Sequence, residues 1–443
     1  MNNQSYRMWT VVVAIALMAL SFAAGLGARN ASLYGLAAHI AQWMPGLTEA
    51  QPEVDIPTSA NLAPLATFWE VHNRITSFYV YPVEDQTQLT YGAIRGMVGA
   101  LEDPFSHFLE PKQFQDFCSQ TEGSFEGIGA WMEQERPGAD KPARIIIMSV
   151  IPEGPAAKAG VRQGDVVVAV DGKPTADQSL QQVVDLIKGR AGTTVTLSLR
   201  REGVVEPLEI SVARAKVEVP VVETEILPGN IGYLWLRMFN KQADREAREA
   251  LQELLSQKIT GLVFDLSMNG GGLLDQAISV GSLFFKEGPI VLVQERGAQP
   301  QPYNVVPGQI VPPDLPMVVL VDRGTASASE IVSGALQDRG RAKIVGTSTF
   351  GKSKVQTVLK LNDGSALILS TAIYLTPKLH DLSENWPDDK AKRGLRPDVL
   401  LPAPSPDAAT DYAAWHKEQV RQAATLLRRE LAAGPGTETV PAG

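Results

Sequence analysis

Cysteine is nearly absent from this sequence, since Cys118 is the single one among 443 residues. One thiol cannot form an intramolecular disulfide, and it cannot build a sulfur-rich zinc site. The five histidines are scattered without HExxH spacing, so metal catalysis has little support. No cofactor is expected. At the glycine-rich loop Asn269 to Gly272, neither of the phosphate-binding patterns GxxxxGK[ST] and GxGxxG is present, which argues against a phosphate cradle there.

Basic residues are too few to balance the acidic ones. There are 40 Lys and Arg against 49 Asp and Glu, which gives a net charge of −9. Without a basic surplus to neutralise phosphates, no nucleic acid is expected as a main partner. A hydrophobic content of 44% with 20% charged residues indicates a globular protein with real cores.

An uncharged segment, Met8 to Gly27, lies between Arg7 and Arg29 near the N-terminus. Its length is about enough to cross a bilayer as a helix. The small residues at 23–25 would also suit cleavage of a signal peptide, but we favour an uncleaved anchor of one N-terminal helix. We therefore expect residues 1–30 to be a membrane anchor or a signal peptide. The remaining chain would be extracytoplasmic, either periplasmic or at the cell surface.

Three patterns follow a proline-containing linker at residues 45–62. Apolar residues at helical spacing run from Leu65 to about Cys118. From Ser124 to Ala213, short strands rich in β-branched residues, with two helices between them, predict a small, partly open β-barrel. From Val217 to Pro402, strands and helices alternate, which predicts a layered α/β core. One more helix is predicted over Asp411 to Leu431.

The run TASASE at 325–330 follows a predicted buried strand and opens a helix. Free backbone N–H groups converge at a helix start, where the dipole favours negative charge. A serine there, Ser327, is a candidate nucleophile, because charge develops on the oxygen of an attacked carbonyl. The spacing Ser327-x-x-Glu330 is also a capping box, which needs no catalysis to explain it.

A serine nucleophile needs a base, and no histidine lies near these motifs in sequence. Lys352, in a glycine-flanked loop, is the alternative if burial lowers its pKa enough to leave it neutral. A solvated loop lysine would fit the same pattern. Gln356, four residues on, would lie on the same side of an extended segment and could hold the amine. The loop Asn269 to Gly272 could point N–H groups at a substrate or form an ordinary tight turn.

The segment Val318 to Leu375 closely resembles the carboxyl-terminal processing peptidases, a family with a Ser/Lys dyad, and the similarity spans about Phe68 to Pro402. LEDPFS at 101–106 looks like the family's helical pre-domain signature, and SFEGIGA at 124–130 looks like the entry to its PDZ domain. The resemblance implies an α/β and β multidomain fold, with a crotonase-like α/β peptidase core, an inserted PDZ domain and a helical N-terminal region. The implied domains are an anchor or signal peptide at 1–30, a linker at 31–64, the helical domain at 65–120, the PDZ domain at 121–213, the peptidase core at 214–402 and a C-terminal tail at 403–443.

When the motifs of this sequence are matched to those of the family, the resemblance implies a role for each site residue. Ser327 corresponds to the nucleophile, Lys352 to the general base and Gln356 to the residue that orients the base. The amides of Gly272 and Ala328 would form the oxyanion hole.

The PDZ resemblance implies a peptide-binding loop formed by Gly127, Ile128, Gly129 and Ala130. An extended C-terminal peptide would add to the domain as a strand, with its carboxylate held by backbone N–H groups. The two glycines alone would also suit an ordinary turn. Because this domain gates the active site in relatives, activation by the substrate is a reasonable hypothesis.

Four positions depart from the family pattern. Ser267 and Met268 stand where relatives often carry Arg and Asn, Gly270 replaces a frequent proline, and Thr325 replaces a common serine. None of these positions belongs to the dyad, so they bear on how the substrate is positioned.

The expected activity is that of a serine endopeptidase that trims or degrades exported proteins from unstructured C-terminal ends. Its partners would be polypeptides with free C-termini, the membrane through the N-terminal segment, and in one possibility further copies of itself. Two alternatives stay open. An inactive PDZ scaffold or chaperone is disfavoured by the intact Ser327, Lys352 and Gln356. Crotonase-like chemistry on an acyl thioester is disfavoured by the peptide-binding unit and the expected export.

Overall fold

The computed structural model describes residues 63–135, 143–403 and 412–433. The chain divides into two units between Glu84 and Asp85. The first unit contains helix α1 (Ala63–Phe78), as the apolar spacing from Leu65 predicts. The expected anchor or signal peptide at residues 1–30 lies outside the described residues. Within the described ranges, no helix has both the length and the apolar character needed to cross a bilayer.

The second unit begins with two helices and a short strand between them. Helix α2 (Gln86–Gly99) begins after Asp85, whose carboxylate accepts a hydrogen bond from the backbone of Thr87. Strand β1 (His107–Leu109) precedes helix α3 (Pro111–Glu122), which has a proline in its first turn. The helical pattern did not predict β1, because three residues carry no periodicity and the strand pairs with one far along the chain.

A small antiparallel β-structure follows. Its elements are β2 (Ser124–Gly127), β3 (Ala130–Glu135), β4 (Arg144–Val150), α4 (Pro155–Ala159), β5 (Val166–Val170), β6 (Lys173–Pro174), α5 (Leu180–Ile187), β7 (Thr194–Arg200), β8 (Leu208–Ala213) and β9 (Ala215–Glu218). The strand order is β3-β4-β5-β7-β8, with β6 beside β5, while β2 pairs with β9. Alternating residues such as Ile145, Val167 and Leu197 fill the interior. The strands and two interposed helices of the predicted barrel are confirmed.

The largest part is a layered α/β structure. Its elements are β10 (Val222–Leu227), β11 (Ile231–Leu236), α6 (Ala243–Ser256), β12 (Gly261–Asp265), α7 (Leu274–Ser282), β13 (Pro289–Glu295), β14 (Gln301–Asn304), β15 (Met317–Val321), α8 (Ala328–Asp338), β16 (Lys343–Gly346), β17 (Lys354–Lys360), β18 (Ala366–Leu375), β19 (Val399–Leu400) and α9 (Tyr412–Ala433). One sheet has the order β10-β11-β12-β15-β16-β19 and is parallel from β11 onward. A second sheet joins β1, β18, β13 and β14, with β17 paired to β18. The predicted layered core is confirmed.

Successive residues of the central strands point to opposite faces of the parallel sheet. Phe264 and Val319 pack in one cluster with residues of α6, α7 and α8. Val263 and Val318, one residue earlier, pack with Leu427 and its neighbours on α9. This period of two explains why the strands read as continuous apolar runs: both faces of the sheet are covered by helices. The carboxyl ends of β12 and β15 consequently lie side by side, where polar loops emerge.

Candidate active site

Ser327 lies between β15 and α8 with a strained backbone, at φ 56° and ψ −117°. A positive φ is unfavourable for a residue with a Cβ, and such strain is often found at functional positions. The strained turn directs Ser327 to a cavity of 470 Å³, which Lys352, Gln356, Gly272 and Ala328 also line. The structure thus brings to one cavity all five site residues that were predicted in the α/β core.

Two buried side chains tie the backbone of Ser327 to that of Lys352. The carboxylate of Glu330 is completely buried and accepts hydrogen bonds from the Ser327 amide at 2.9 Å and the Lys352 amide at 3.0 Å. It also accepts from the Thr349 hydroxyl and the Gly351 amide. Burial raises the pKa of Glu330, and these hydrogen bonds oppose the rise. Glu330 therefore does more than cap α8, because it also holds the loop of the lysine.

Tyr374 on β18 joins the same two residues through their carbonyl groups. Its hydroxyl lies 3.2 Å from the backbone carbonyl oxygen of Ser327 and also hydrogen-bonds the carbonyl of Lys352. Burial raises the pKa of Tyr374 well above 10, so the hydroxyl keeps its proton and donates. Amides and carbonyls of the nucleophile and the base are thus bridged by separate side chains.

The Lys352 amine lies against an aromatic ring. Its Nζ lies 4.9 Å from the centre of the Phe105 ring, in the loop between α2 and β1. Burial lowers the pKa of Lys352, and the negative charges of Glu330 and Asp103 act in the opposite direction. A lysine with a lowered pKa is neutral in a larger fraction of molecules at a given pH, which general-base chemistry requires.

Lys352 and Ser327 line the same cavity, but across the described ranges no hydrogen bond joins the amine to the hydroxyl. Gln356 donates from its side-chain nitrogen to the Lys354 carbonyl at 3.0 Å and the Ser370 hydroxyl at 3.4 Å. A register irregularity between Val355 and Gln356 accompanies this arrangement. In ligand-free enzymes catalytic hydrogen bonds are often long and tighten only when substrate binds.

The glycine-rich loop after β12 packs directly on the serine loop. A Cβ on Gly271 would stand 2.8 Å from the Cβ of Ser327, and one on Gly272 would stand 2.2 Å from the carbonyl oxygen of Phe239. Only glycine permits so close an approach. Gly271 and Leu273 make the backbone hydrogen bonds to Phe239. Within the described residues, the amides of Gly272 and Ala328 have no acceptor, as an oxyanion hole requires.

The loop Gly127 to Ala130 connects β2 to β3 and borders a second cavity of 600 Å³. Ile128 is buried, and its carbonyl accepts from the Ala156 amide. The carbonyl of Gly129 accepts from Ile151. In the described part of the chain, the Ile128 and Gly129 amides donate to no acceptor. These two amides are therefore available to donate to a bound carboxylate.

Comparison with known proteins places the chain in a family. Three family models match the chain. Peptidase family S41 matches residues 230–401, the PDZ domain matches 146–201, and the activating protease CtpB N-terminal domain matches 36–113. The chain is 37% identical over 353 residues to the carboxy-terminal-processing protease of Bartonella bacilliformis, covering 79% of this chain and 77% of that protein. The chain belongs to the carboxy-terminal processing proteases.

Two further similarities concern chloroplast and photosystem proteins. The chloroplastic C-terminal processing peptidase of Tetradesmus obliquus is 37% identical over 331 residues, or 72% of this chain and 69% of that protein. A solved structure titled as the photosystem II D1 C-terminal processing protease is 34% identical, with a TM-score of 0.42, covering 76% of this chain and 86% of that one.

The structure also places residues of this processing protease that sequence reasoning did not assign to the site. Asp103 pairs with Lys354 at 2.8 Å and accepts from Ser106 at 2.6 Å. Although burial opposes it, these hydrogen bonds lower the pKa of Asp103. They dock the LEDPFS segment at the cavity and bring Phe105 over Lys352. The motif itself was visible in the sequence, but its distance of some 250 residues from Lys352 hid the contact.

Proposed function

We propose that this processing protease is a serine endopeptidase in which Ser327 attacks the peptide carbonyl and Lys352 is the general base. One observation carries the proposal: the Ser327 hydroxyl, a lysine amine of lowered pKa and two unpaired amides border one cavity. Each is a part that acyl transfer needs, and the cavity is large enough to admit an extended peptide.

The proposed reaction has two halves. Neutral Lys352 accepts the hydroxyl proton as the Ser327 oxygen bonds to the carbonyl carbon, and the resulting oxyanion is held by the Gly272 and Ala328 amides. The protonated lysine then returns the proton to the leaving amine as the C–N bond breaks. Water attacks the acyl-enzyme by the same route and releases the new C-terminus. Gln356 would turn toward the amine once a substrate occupies the cavity.

Substrate recognition is proposed to begin at the PDZ unit. The unpaired amides of Ile128 and Gly129 would bind a free C-terminal carboxylate. The cavity beside them and the cavity at Ser327 share Gln120, Met238 and Asn240 as wall residues, which supports a continuous path between them. Unstructured C-terminal ends of polypeptides are therefore the proposed substrates.

Export and domain organisation are part of the proposal. The uncharged segment at residues 8–27 supports an extracytoplasmic location, with anchoring or cleavage at residues 1–30. The division into a helical domain at 65–120, a PDZ domain at 121–213 and a peptidase core at 214–402 is proposed with it. Fractionating cells that make the chain with and without residues 1–30 tests the location. Equal distribution of both forms would contradict it.

The catalytic proposal is tested with the chain from Asn61 onward and an unfolded substrate protein. Ser327→Ala and Lys352→Ala are expected to lose turnover by a factor of about 10⁴ or more while keeping the parent's thermal unfolding profile. A parent chain that binds the substrate without cleaving it would support the PDZ scaffold instead. Unchanged turnover in Ser327→Ala would assign the nucleophile elsewhere.

A further inference from the structure

Helix α9 covers the face of the parallel sheet that the other helices leave open. Its buried residues Val420, Ala423 and Leu427 pack against β11, β12 and β15. Its first turn reaches the carboxyl ends of β12 and β15, from which the glycine-rich loop and the serine loop emerge. From sequence alone this helix belongs to a tail beyond the peptidase core.

His416 on α9 contacts the first of these strand ends. Its Nε2 lies 2.8 Å from Oδ2 of Asp265, which is fully buried at the end of β12. Asp265 also accepts from the Tyr233 hydroxyl and from the amide and hydroxyl of Ser267. Within the described residues, His416 is the one basic side chain that hydrogen-bonds Asp265. The imidazole is itself packed against the Trp235 ring at 4.4 Å between centres.

Tyr412, one turn earlier on α9, contacts the second strand end. Its hydroxyl donates to Oδ2 of Asp322, directly after β15. Oδ1 of the same carboxylate accepts from the amides of Met268 at 2.9 Å and Gly324 at 2.8 Å. Asp322 therefore joins the glycine-rich loop to the serine loop. Burial and the hydrogen bond to Asp322 raise the pKa of Tyr412, so its phenol remains a donor.

The two loops are also bonded to each other. The Ala326 amide donates to the Asn269 carbonyl at 3.0 Å, and the Thr325 hydroxyl donates to the Leu266 carbonyl at 2.8 Å. Asn269 in turn accepts from the Gly271 amide. Short hydrogen bonds thus connect Asp265 and Asp322 to the loops that carry the Gly272 amide and Ser327, although Met268 within the first loop is exposed.

We propose that Tyr412 and His416 are positioning residues that align the oxyanion amides with the nucleophile, an assignment that rests on the proposed function. Residues four apart lie on one helix face about 6 Å apart, which matches the spacing of neighbouring strands. One turn of α9 therefore contacts both buried carboxylates at once. A buried carboxylate that loses a donor must find another or shift, and either response moves its loop.

The test compares His416→Ala, His416→Gln and Tyr412→Phe with the parent chain. For His416→Ala we expect kcat on an unfolded substrate, and the rate of labelling by a serine-reactive fluorophosphonate, to fall about tenfold or more, with KM nearly unchanged. Glutamine can still donate to Asp265, so His416→Gln should restore most of both rates. Tyr412→Phe removes one oxygen and should lower kcat in the same way.

Val420→Ala is the matched control, because it destabilises the same helix without touching either loop. It should lose as much thermal stability as His416→Ala while keeping the parent's kcat per folded molecule. Lys417→Ala, exposed on the same helix, should match the parent throughout. If His416→Ala and Tyr412→Phe keep the parent's kcat and labelling rate, or if Val420→Ala loses both equally, the proposal is wrong. If His416→Ala does not fold, Tyr412→Phe alone decides. Failure of the proposed function would appear separately, as cleavage that survives Ser327→Ala.

Discussion

At the scale of single residues, the proposed role of Lys352 as general base depends on how far its amine is removed from water. The Phe105 ring lies over it, while Glu330 and Asp103 add negative charge that favours protonation. Lys354, which also lies near the ring, neutralises Asp103. Burial is the largest influence on the pKa of Lys352 and lowers it. The ring also attracts the charged amine, but removal from water outweighs such an attraction at a buried site.

Phe105→Ala should therefore move the rising limb of kcat/KM against pH to higher pH. Water that enters the space of the ring stabilises the charged amine, and each pH unit of movement lowers the neutral fraction at pH 7 about tenfold. Activity should recover when the pH is raised. Phe105→Leu keeps the site apolar and should stay close to the parent. An unmoved limb in Phe105→Ala would mean that Phe105 does not set the basicity of Lys352.

Glu330→Gln should lower kcat by about a hundredfold, although glutamine has nearly the same size and shape as glutamate. Glutamine offers one oxygen where four donors converge, so it cannot accept from Ser327, Thr349, Gly351 and Lys352 together. Unpaired buried amides then force the two loops apart, and thermal stability should fall as well. Ser333→Ala is the control, since it removes a buried hydrogen bond of α8 away from both loops. Parental kcat in Glu330→Gln would show that the carboxylate is dispensable.

At the scale of elements, two loops at neighbouring strand ends are packed so closely that only glycine fits between them. Gly271 has φ +99°, and a Cβ there would lie within 3 Å of Ala326, Ser327 and Ala328. Gly270, the preceding residue, has open space around its Cβ position and an ordinary φ. Adjacent glycines of the same loop thus meet opposite steric demands.

Gly271→Ala should abolish measurable cleavage, and Gly270→Ala should retain most of it. The added methyl group of Gly271→Ala meets backbone atoms that cannot turn away, so the serine loop must shift. Circular dichroism and labelling with a fluorophosphonate would separate a local shift from unfolding. Equal activity in the two variants would contradict the close packing of these loops.

At the scale of the whole molecule, the cavities proposed for peptide binding and for the reaction share wall residues. Val184 on α5 lines the cavity beside the Gly127 to Ala130 loop, whereas Val205 in the turn between β7 and β8 is 96% exposed. Since the two cavities share wall residues, a substrate held by its C-terminus would extend toward Ser327.

Val184→Lys should raise KM for a polypeptide with a free C-terminal carboxylate about tenfold, because a longer, charged side chain would then occupy part of this cavity. The parent should cleave the C-terminally amidated form of that polypeptide less efficiently than the free acid, and Val184→Lys should lose this preference. Val205→Lys should behave as the parent does. A parent that cleaves acid and amide equally would contradict carboxylate recognition.

Most helices and strands of the two larger parts were predictable, because their apolar periods match burial on one or both faces. The run before Ser327 predicts a buried strand, and Ile331, Ala335 and Leu336 predict the inner face of α8, which is buried. Strands such as β1 and β14 were not predictable. They are short, and they exist because distant strands complete their hydrogen bonds.

The sequence by itself determined the local features: a serine at a helix start, a lysine between small residues, and a glycine-rich loop after a strand. These depend on neighbours along the chain, so periodicity and motif spacing reveal them. Only the tertiary structure decided that Phe105 covers Lys352, that Tyr374 bridges two loops, and that α9 braces the strand ends. Such contacts join residues far apart in sequence, and only the folded packing of the sheets and helices brings them together.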